Sequence, residues 1–362
     1  MVQPIDRDRS PSDAPEVRLG AHTVGAAHRP FVLAEMSGNH NGDLDRALAI
    51  VDAVADSGAQ GLKLQTYRAD TITIDSDRPE FRIGADHELW GGENLYRLYE
   101  RAHTPWEWHE EIFRRGRERG LTVFSSPFDP TAIELLESLD APAYKIASAE
   151  IGDLPLIRLA ASTGKPLVIS TGTAQVGDIA AAVQAARDGG CTELVVLGCT
   201  ASYPADPSET NLRGLPMIGD LFDCVVGLSD HTLGIGVAVA SVAFGARLIE
   251  KHVTLARADG GVDSAFSLEP HELASLTVES ARAWQALGVA RIGPTRSEAQ
   301  MLALRRSLYV VSDVLAGDEV TADNVRSIRP AGGLAPDLVT TVVGRRFTRD
   351  VERGTPLTWD LV

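Results

Sequence analysis

Between residues 31 and 252, eight short runs rich in β-branched and other apolar residues alternate with Ala-, Leu- and Arg-rich segments of helical period. No other feature restricts the fold as strongly, because strands separated by helices pair in parallel, each helix serving as a crossover. The runs read as strands at Phe31–Glu35, Gly61–Gln65, Leu121–Ser125, Ala143–Ala147, Pro166–Ser170, Leu194–Cys199, Val225–Ser229 and Arg247–His252. Eight such units match the count and length of an α/β TIM (β/α)8 barrel. A doubly wound open sheet is the alternative.

The second crossover is long. It carries extra residues from Tyr67 to Thr104, LWGGENLYRLYE among them, after a strand's C-terminal end, where barrel loops build the functional face. The most apolar stretch, Gly234 to Ala246, is too short to span a bilayer and reads as a packed helix. Around Arg291 to Arg305 the composition turns polar, and a small β-rich domain is expected beyond it. That tail contains a repeat: DVLAGDEVTADNV (313–325) and DVERGTPLTWDLV (350–362) share Asp, Val, Gly, Thr, Asp and Val at the same offsets. Each copy places a turn glycine, Gly317 or Gly354, before a Thr and an acidic residue, as a repeated turn-and-strand unit does. The expected division is a polar extension over 1–29, a barrel over 30–295, a linker over 296–305 and the small domain over 306–362.

A formal net charge of −16 argues against a general attraction to nucleic acid or an anionic membrane, so an anionic substrate needs a local basic pocket. The start, MVQPIDRDRSPSDAPEV, has charges and prolines where an export signal needs an apolar core, which predicts a cytoplasmic protein. Cys191, Cys199 and Cys224 lack C-x-x-C spacing and read as small buried hydrophobes rather than a disulfide or zinc framework.

In a barrel the chemistry sits at the C-terminal ends of the strands, and here those ends are polar. They are Glu35; Lys63 and Gln65; Ser125 and Ser126; Lys145, Ser148 and Glu150; Ser170 and Thr171; Thr200, Ser202 and Tyr203; Ser229 and His231; Glu250 and His252. A single Ser or Thr there commonly caps the next helix, but eight polar ends in one chain point to a site. Lys63 and Lys145 lie in the apolar contexts GLKLQ and AYKIAS, where burial disfavours an ammonium that faces no negative charge. Either a bound phosphate or carboxylate, helped by the hydroxyls of Ser126, Ser148, Ser170 and Ser229, or a structural pair with Glu35 or Glu150 would supply that charge. His231 and His252 end neighbouring strands, so both imidazoles can reach one divalent metal, with water, substrate or Asp263 completing its shell. The stretch GLSDHTLG sets Ser229, Asp230 and His231 side by side, but strand alternation turns Asp230 away from the other two and rules out a hydrolytic triad. A barrel aldolase using Lys145 as a Schiff-base lysine, and a sugar- or ice-binding role for the tail, are the alternatives in other classes.

The motifs AEMSGNHNG, LKLQTY, SSPF, AYKIASAE, STGTA, CTASYPA, GLSDHT, EKHVT, DSAFSLEP and IRPAGGLAP together resemble the sialic acid synthase family over residues 30 to 362. Within it, LWGGENLYRLYERAHTPWEWHEEIF and VDSAFSLEP look most like the pseudaminic branch. The resemblance implies a barrel with a C-terminal antifreeze-like (SAF) domain. It also implies condensation of phosphoenolpyruvate with an open-chain acetamido sugar, 2,4-diacetamido-2,4,6-trideoxy-L-altrose in this branch and other acceptors in the neuraminate and legionaminate branches. Carried over by the same resemblance, Lys63, Ser126, Lys145, Ser148, Ser170, Tyr203 and Ser229 would hold phosphoenolpyruvate. His231 and His252 would bind Mn2+, Co2+ or Mg2+, and Glu35, Gln65, Glu150 and Asp263 would face the sugar or the attacking water. Arg329 would reach the sugar of a partner chain in a domain-swapped homodimer. Where the neuraminate branch has Asn between CT and YP, this chain has Ala201-Ser202, which removes one contact to phosphoenolpyruvate.

Overall fold

The computed structural model describes residues 14–85 and 89–362, and most of the expected N-terminal extension, residues 1–13, lies outside them. The chain divides into two compact units, Met1–Gly288 and Val289–Val362.

In the first unit, β1 (Val17–Leu19) and β2 (His22–Val24) form an antiparallel hairpin. Eight strands follow: β3 (Phe31–Glu35), β4 (Gly61–Thr66), β5 (Thr122–Pro127), β6 (Tyr144–Ile146), β7 (Leu167–Ser170), β8 (Leu194–Cys199), β9 (Val225–Asp230) and β10 (Leu248–His252). They pair in parallel in chain order, and β10 returns to β3 to close the barrel. The open-sheet alternative is excluded. The run Gly234 to Ala246 is a short helix, Gly236–Ser241, ending in a 3-10 turn, with Ala238, Ser241 and Val242 buried.

The strands carry apolar residues on both faces because helices cover the outside and side chains fill the inside. Inward positions form one cluster, Phe31, Leu33, Phe124, Ala143, Val168, Val195, Leu197, Val225 and Leu248, and the hairpin's Val17, Leu19 and Val24 join it. These contacts lie at the N-terminal ends of the strands: Thr122 Oγ1 donates to Leu19 O (3.2 Å), and Arg18 N donates to the carboxylate of Glu193 (2.7 Å). Part of the stretch read as a polar extension therefore plugs the bottom of the barrel. Gly227 must be glycine, since a Cβ there would sit 2.4 Å from both Leu197 Cδ2 and Leu248 O.

Two residues further along each strand, the inward face changes character. Leu33 gives way to Glu35, Phe124 to Ser126, Ala143 to Lys145, Val168 to Ser170 and Leu248 to Glu250. The barrel is thus an apolar plug beneath a polar mouth.

In the second unit, β11 (Ser307–Val310) and β12 (Val325–Ile328) pair antiparallel around Leu308, Val310, Val320, Phe347 and Leu357. The repeat is legible in the hydrogen bonds, which are reciprocal. Val314 and Val351 exchange backbone bonds of 3.0 and 2.9 Å. Asp313 accepts from Arg353 N (2.7 Å) while Asp350 accepts from Ala316 N (2.8 Å). Gly317 N donates to Phe347 O and Gly354 N to Val310 O, each at 2.8 Å, and both glycines have positive φ.

Candidate active site

The mouth holds a cavity of about 450 Å³. Its floor contains two buried lysines that share a carboxylate: Glu250 lies 3.8 Å from Lys63 Nζ and 4.0 Å from Lys145 Nζ. Lys63 Nζ also meets Glu35 at 2.5 Å and donates to Ser126 Oγ at 3.3 Å. Strand register brings these groups together, since Glu35 pairs with Lys63 across β3 and β4, and Glu250 with Ser229 across β9 and β10. Burial alone would lower the pKa of Lys63, but the attraction of Glu250 and Glu35 outweighs it and the pKa is raised. For Lys145 burial wins over Glu250, with Lys63 adding repulsion, and the pKa falls. Burial opposes ionisation of Glu250, yet the two lysines hold its pKa below the usual carboxylate value.

Around this floor stand hydroxyls. Ser229 Oγ donates to Glu250 (3.1 Å), Ser148 Oγ accepts from Gly172 N (3.0 Å), and Ser170 Oγ is buried without a partner among the described residues. Glu150 lines the cavity with one unpartnered oxygen, and burial raises its pKa against the pull of Lys145. Such a set of cations and open donors suits an anion that supplies the missing partners.

His231 and His252 face each other with ring centroids 5.3 Å apart. His231 Nδ1 is 2.9 Å from the Thr200 carbonyl, and His252 Nδ1 is 3.4 Å from Asp263. The Thr200 carbonyl engages Nδ1 of His231 and leaves its Nε2 as the electron-pair donor, an arrangement typical of histidine metal ligands, whereas Nδ1 of His252 is buried beside Asp263 without a hydrogen-bond partner among the described residues. No group of three or more His, Cys, Asp or Glu side chains gathers for a metal among the described residues. A divalent ion held by these two rings would therefore take its other ligands from water or substrate, as a catalytic rather than structural ion does. Tyr203 packs on His231 at 4.4 Å, and Phe266 on His252 at 5.0 Å, fixing both imidazoles.

Most of the expected site residues meet here: Lys63, Gln65, Lys145, Ser148, Glu150, Ser170, Tyr203, Ser229, His231, His252 and Asp263 all line the cavity. Glu35 and Ser126 do not line it. Both are fully buried behind Lys63, and Glu35 accepts a further bond from Gln65 (3.0 Å), so its contacts are to protein side chains rather than to the cavity. The partner of Lys145 is Glu250, not Glu150. Ala201 lines the cavity while Ser202 donates to Pro204 O (3.0 Å) instead. Arg329 belongs to the second unit, where it is exposed.

Three features escaped the sequence reading. Glu250 stood among the polar strand ends without a role, although its spacing from His252 equals that of Ser229 from His231. Cys199 lines the cavity, Sγ 4.0 Å from His231 Nδ1, whereas Cys191 and Cys224 are buried as expected. The inserted crossover does cover this face, but its apolar contribution was not read: Ile72, Ile83, Leu95, Leu98 and Ala102 line the cavity.

A closed (β/α)8 barrel with buried lysines, an unpaired hydroxyl and two adjacent imidazoles at its C-terminal mouth is the architecture of a barrel enzyme acting on an anionic substrate. The chain belongs to the NeuB family, whose pattern matches residues 50–291, and a SAF domain matches residues 305–362. It is 38% identical to the pseudaminic acid synthase of Helicobacter pylori over 91% of this chain and 97% of that protein. A pseudaminic acid synthase of Campylobacter jejuni is 37% identical over 90% of this chain and 95% of that protein. Among solved structures, the N-acetylneuraminic acid synthetase of Leptospira borgpetersenii superposes with a TM-score of 0.71 at 29% identity, covering 80% of this chain and 95% of that one.

Proposed function

We propose that this chain is a phosphoenolpyruvate-dependent synthase, joining phosphoenolpyruvate, 2,4-diacetamido-2,4,6-trideoxy-L-altrose and water into pseudaminic acid and phosphate as a cytoplasmic homodimer. One observation carries the reading: two buried lysines sharing Glu250 stand in the same cavity as the facing pair His231 and His252.

Lys63, Lys145 and the hydroxyls of Ser148, Ser170 and Ser229 hold the phosphate and carboxylate of phosphoenolpyruvate, with Tyr203 beside them. Glu35 and Ser126 keep the Lys63 ammonium in place from behind. Gln65, Glu150 and Asp263 face the acceptor and the attacking water. C3 of phosphoenolpyruvate adds to the sugar's C1 carbonyl, water adds at C2, and phosphate leaves with C–O cleavage. His231 and His252 would hold a divalent ion, Mn2+, Co2+ or Mg2+, which supplies Lewis-acid polarisation of that carbonyl when bound. Arg329, exposed after β12, would reach the acceptor in the partner's barrel.

Purified enzyme is offered phosphoenolpyruvate with this sugar, with N-acetylmannosamine or with the legionaminic precursor, and phosphate release is followed. The trideoxy L-altrose derivative gives the highest kcat/KM. Preference for either of the others overturns the acceptor assignment. Phosphoenolpyruvate labelled at its C–O–P bridging oxygen releases labelled phosphate, and unlabelled phosphate overturns the C–O cleavage.

A further inference from the structure

The barrel unit contains a second cavity, of about 310 Å³, at the end opposite the mouth. His22 and Thr23 of β2, His28 and Arg29 of the link to β3, Phe31 at the start of β3, and Gln60 just before β4 line it. Phe31 and Glu35 stand at opposite ends of β3, roughly 13 Å apart at the rise of a strand, so this cavity is separate from the lysines. Its polar side chains all carry donors, and no carboxylate lines it, although acidic residues outnumber basic ones by 50 to 34 in the chain. Gln60 is the telling residue. It is 6% exposed, its backbone N–H donates to Val32 O (3.1 Å), its carbonyl accepts from Thr122 N (2.9 Å), and its Oε1 accepts from Val32 N (2.8 Å). That leaves Nε2 as a donor held in place, with no partner among the described residues. Arg29 is exposed and likewise meets no acceptor among them. The pKa of His22 is lowered, first by burial and then by the charge of Arg29, a repulsion that a bound anion would relieve. Glu16, the one carboxylate close by, lies 3.4 Å from His28 Nε2 but outside the lining.

We infer that this cavity is a second anion site, which binds a phosphate group between Arg29, Gln60 and the hydroxyl of Thr23. The guanidinium supplies the charge, and Gln60 Nε2, Thr23 Oγ1 and the imidazoles of His22 and His28 supply further donors. A tetrahedral oxyanion offers acceptors toward several sides at once, whereas a carboxylate offers them in one plane, so donors arranged around a cavity favour phosphate. Chemistry in a barrel of this kind takes place at the other end of the strands, so the group is bound here without being transformed. The ion itself and the phosphate end of an ester present the same oxygens to these residues.

Inorganic phosphate is titrated by calorimetry into the full-length protein and into Arg29→Gln and Gln60→Glu. The second substitution keeps an acceptor for Val32 N while removing the donor. Circular dichroism verifies both folds, and Arg29→Gln, at an exposed position, decides alone if Gln60→Glu does not fold. Wild type takes up phosphate at a site whose Kd rises at least about tenfold in each variant. Phosphate held at the mouth by Lys63 and Lys145 contributes equally to all three titrations. KM for phosphoenolpyruvate stays that of wild type, since neither residue lines the mouth. No phosphate uptake by wild type, an unchanged titration in folded Arg29→Gln, or a KM raised together with the Kd overturns the site. Glycerol 3-phosphate separates two sources that both uphold it: displacement of phosphate extends the site to esters, and none confines it to the free ion. Displacement by acetate at equal concentration overturns the choice of phosphate. Because the titration needs no turnover, its result does not depend on the acceptor assignment.

Discussion

Ser229, Asp230 and His231 are neighbours in sequence and strangers in space. Ser229 and His231 line the cavity, while Asp230 turns outward and pairs with buried Lys251 at 2.8 Å. The alternation of a strand separates two cavity-lining side chains from a structural ion pair within three residues. The same alternation sets Glu250 and His252 inward and Lys251 outward. At this scale the metal reading is testable. His231→Ala and His252→Ala should each abolish metal binding measured by calorimetry, and with it turnover, while circular dichroism stays that of wild type. Chelation should remove activity, and Mn2+, Co2+ or Mg2+ should restore it; full activity in metal-free buffer refutes the reading.

Elements are joined by polar links through buried histidines, which burial keeps neutral. His109 opens the helix His109–Glu118; its Nδ1 faces Pro105 O at 3.1 Å and its Nε2 faces Thr66 Oγ1 at 2.9 Å, tying that helix to the end of β4. His40, in the loop after β3, accepts from Gly42 N at Nδ1 (3.1 Å) and faces Thr104 Oγ1 at Nε2 (3.3 Å), tying down the end of the insertion. Burial lowers each pKa to about 4. The unfolded chain therefore binds more protons than the folded one between about pH 6.5 and 4, so stability is fully present above that range and falls as pH drops through it. Each histidine contributes up to about 3 kcal/mol to that loss. Urea midpoints should decline from pH 7 to pH 5 in wild type and less steeply in His109→Gln; parallel declines would show that this histidine does not titrate as argued.

At the scale of the whole molecule, the two units carry different tasks. The barrel unit contains every cavity-lining residue named above, and the second unit carries Arg329, exposed and without a hydrogen bond or ion pair to the described residues. If Arg329 serves the partner's barrel, two defective chains complement each other. Arg329→Ala and His231→Ala, each nearly inactive alone, form a heterodimer with one doubly defective site and one intact site. Random assortment in a two-fold dimer then recovers about a quarter of wild-type activity. Proven heterodimers with no recovery would place Arg329 in cis or outside the reaction.

The sequence alone determined the eight strands, because an apolar run and the helical period that follows it are local properties, and it determined which strand ends are polar. It also determined the repeat of the small domain, since reciprocal hydrogen bonds between the copies need the same residue types at the same offsets. What it left open were partners. Whether Lys63 faces Glu35, whether Lys145 faces Glu150 or Glu250, and that Ser126 stands behind a lysine rather than beside the cavity depend on inter-strand register, which closure of the barrel fixes over long sequence separations. The hairpin at Val17–Val24 escaped the reading because its three buried residues are separated by polar and small ones and bury only against the bottom of a closed barrel. The part the insertion plays was hidden for the same reason: Ile72, Leu95 and Leu98 form no local pattern that marks a site, and join one only when tertiary packing brings the crossover to the cavity.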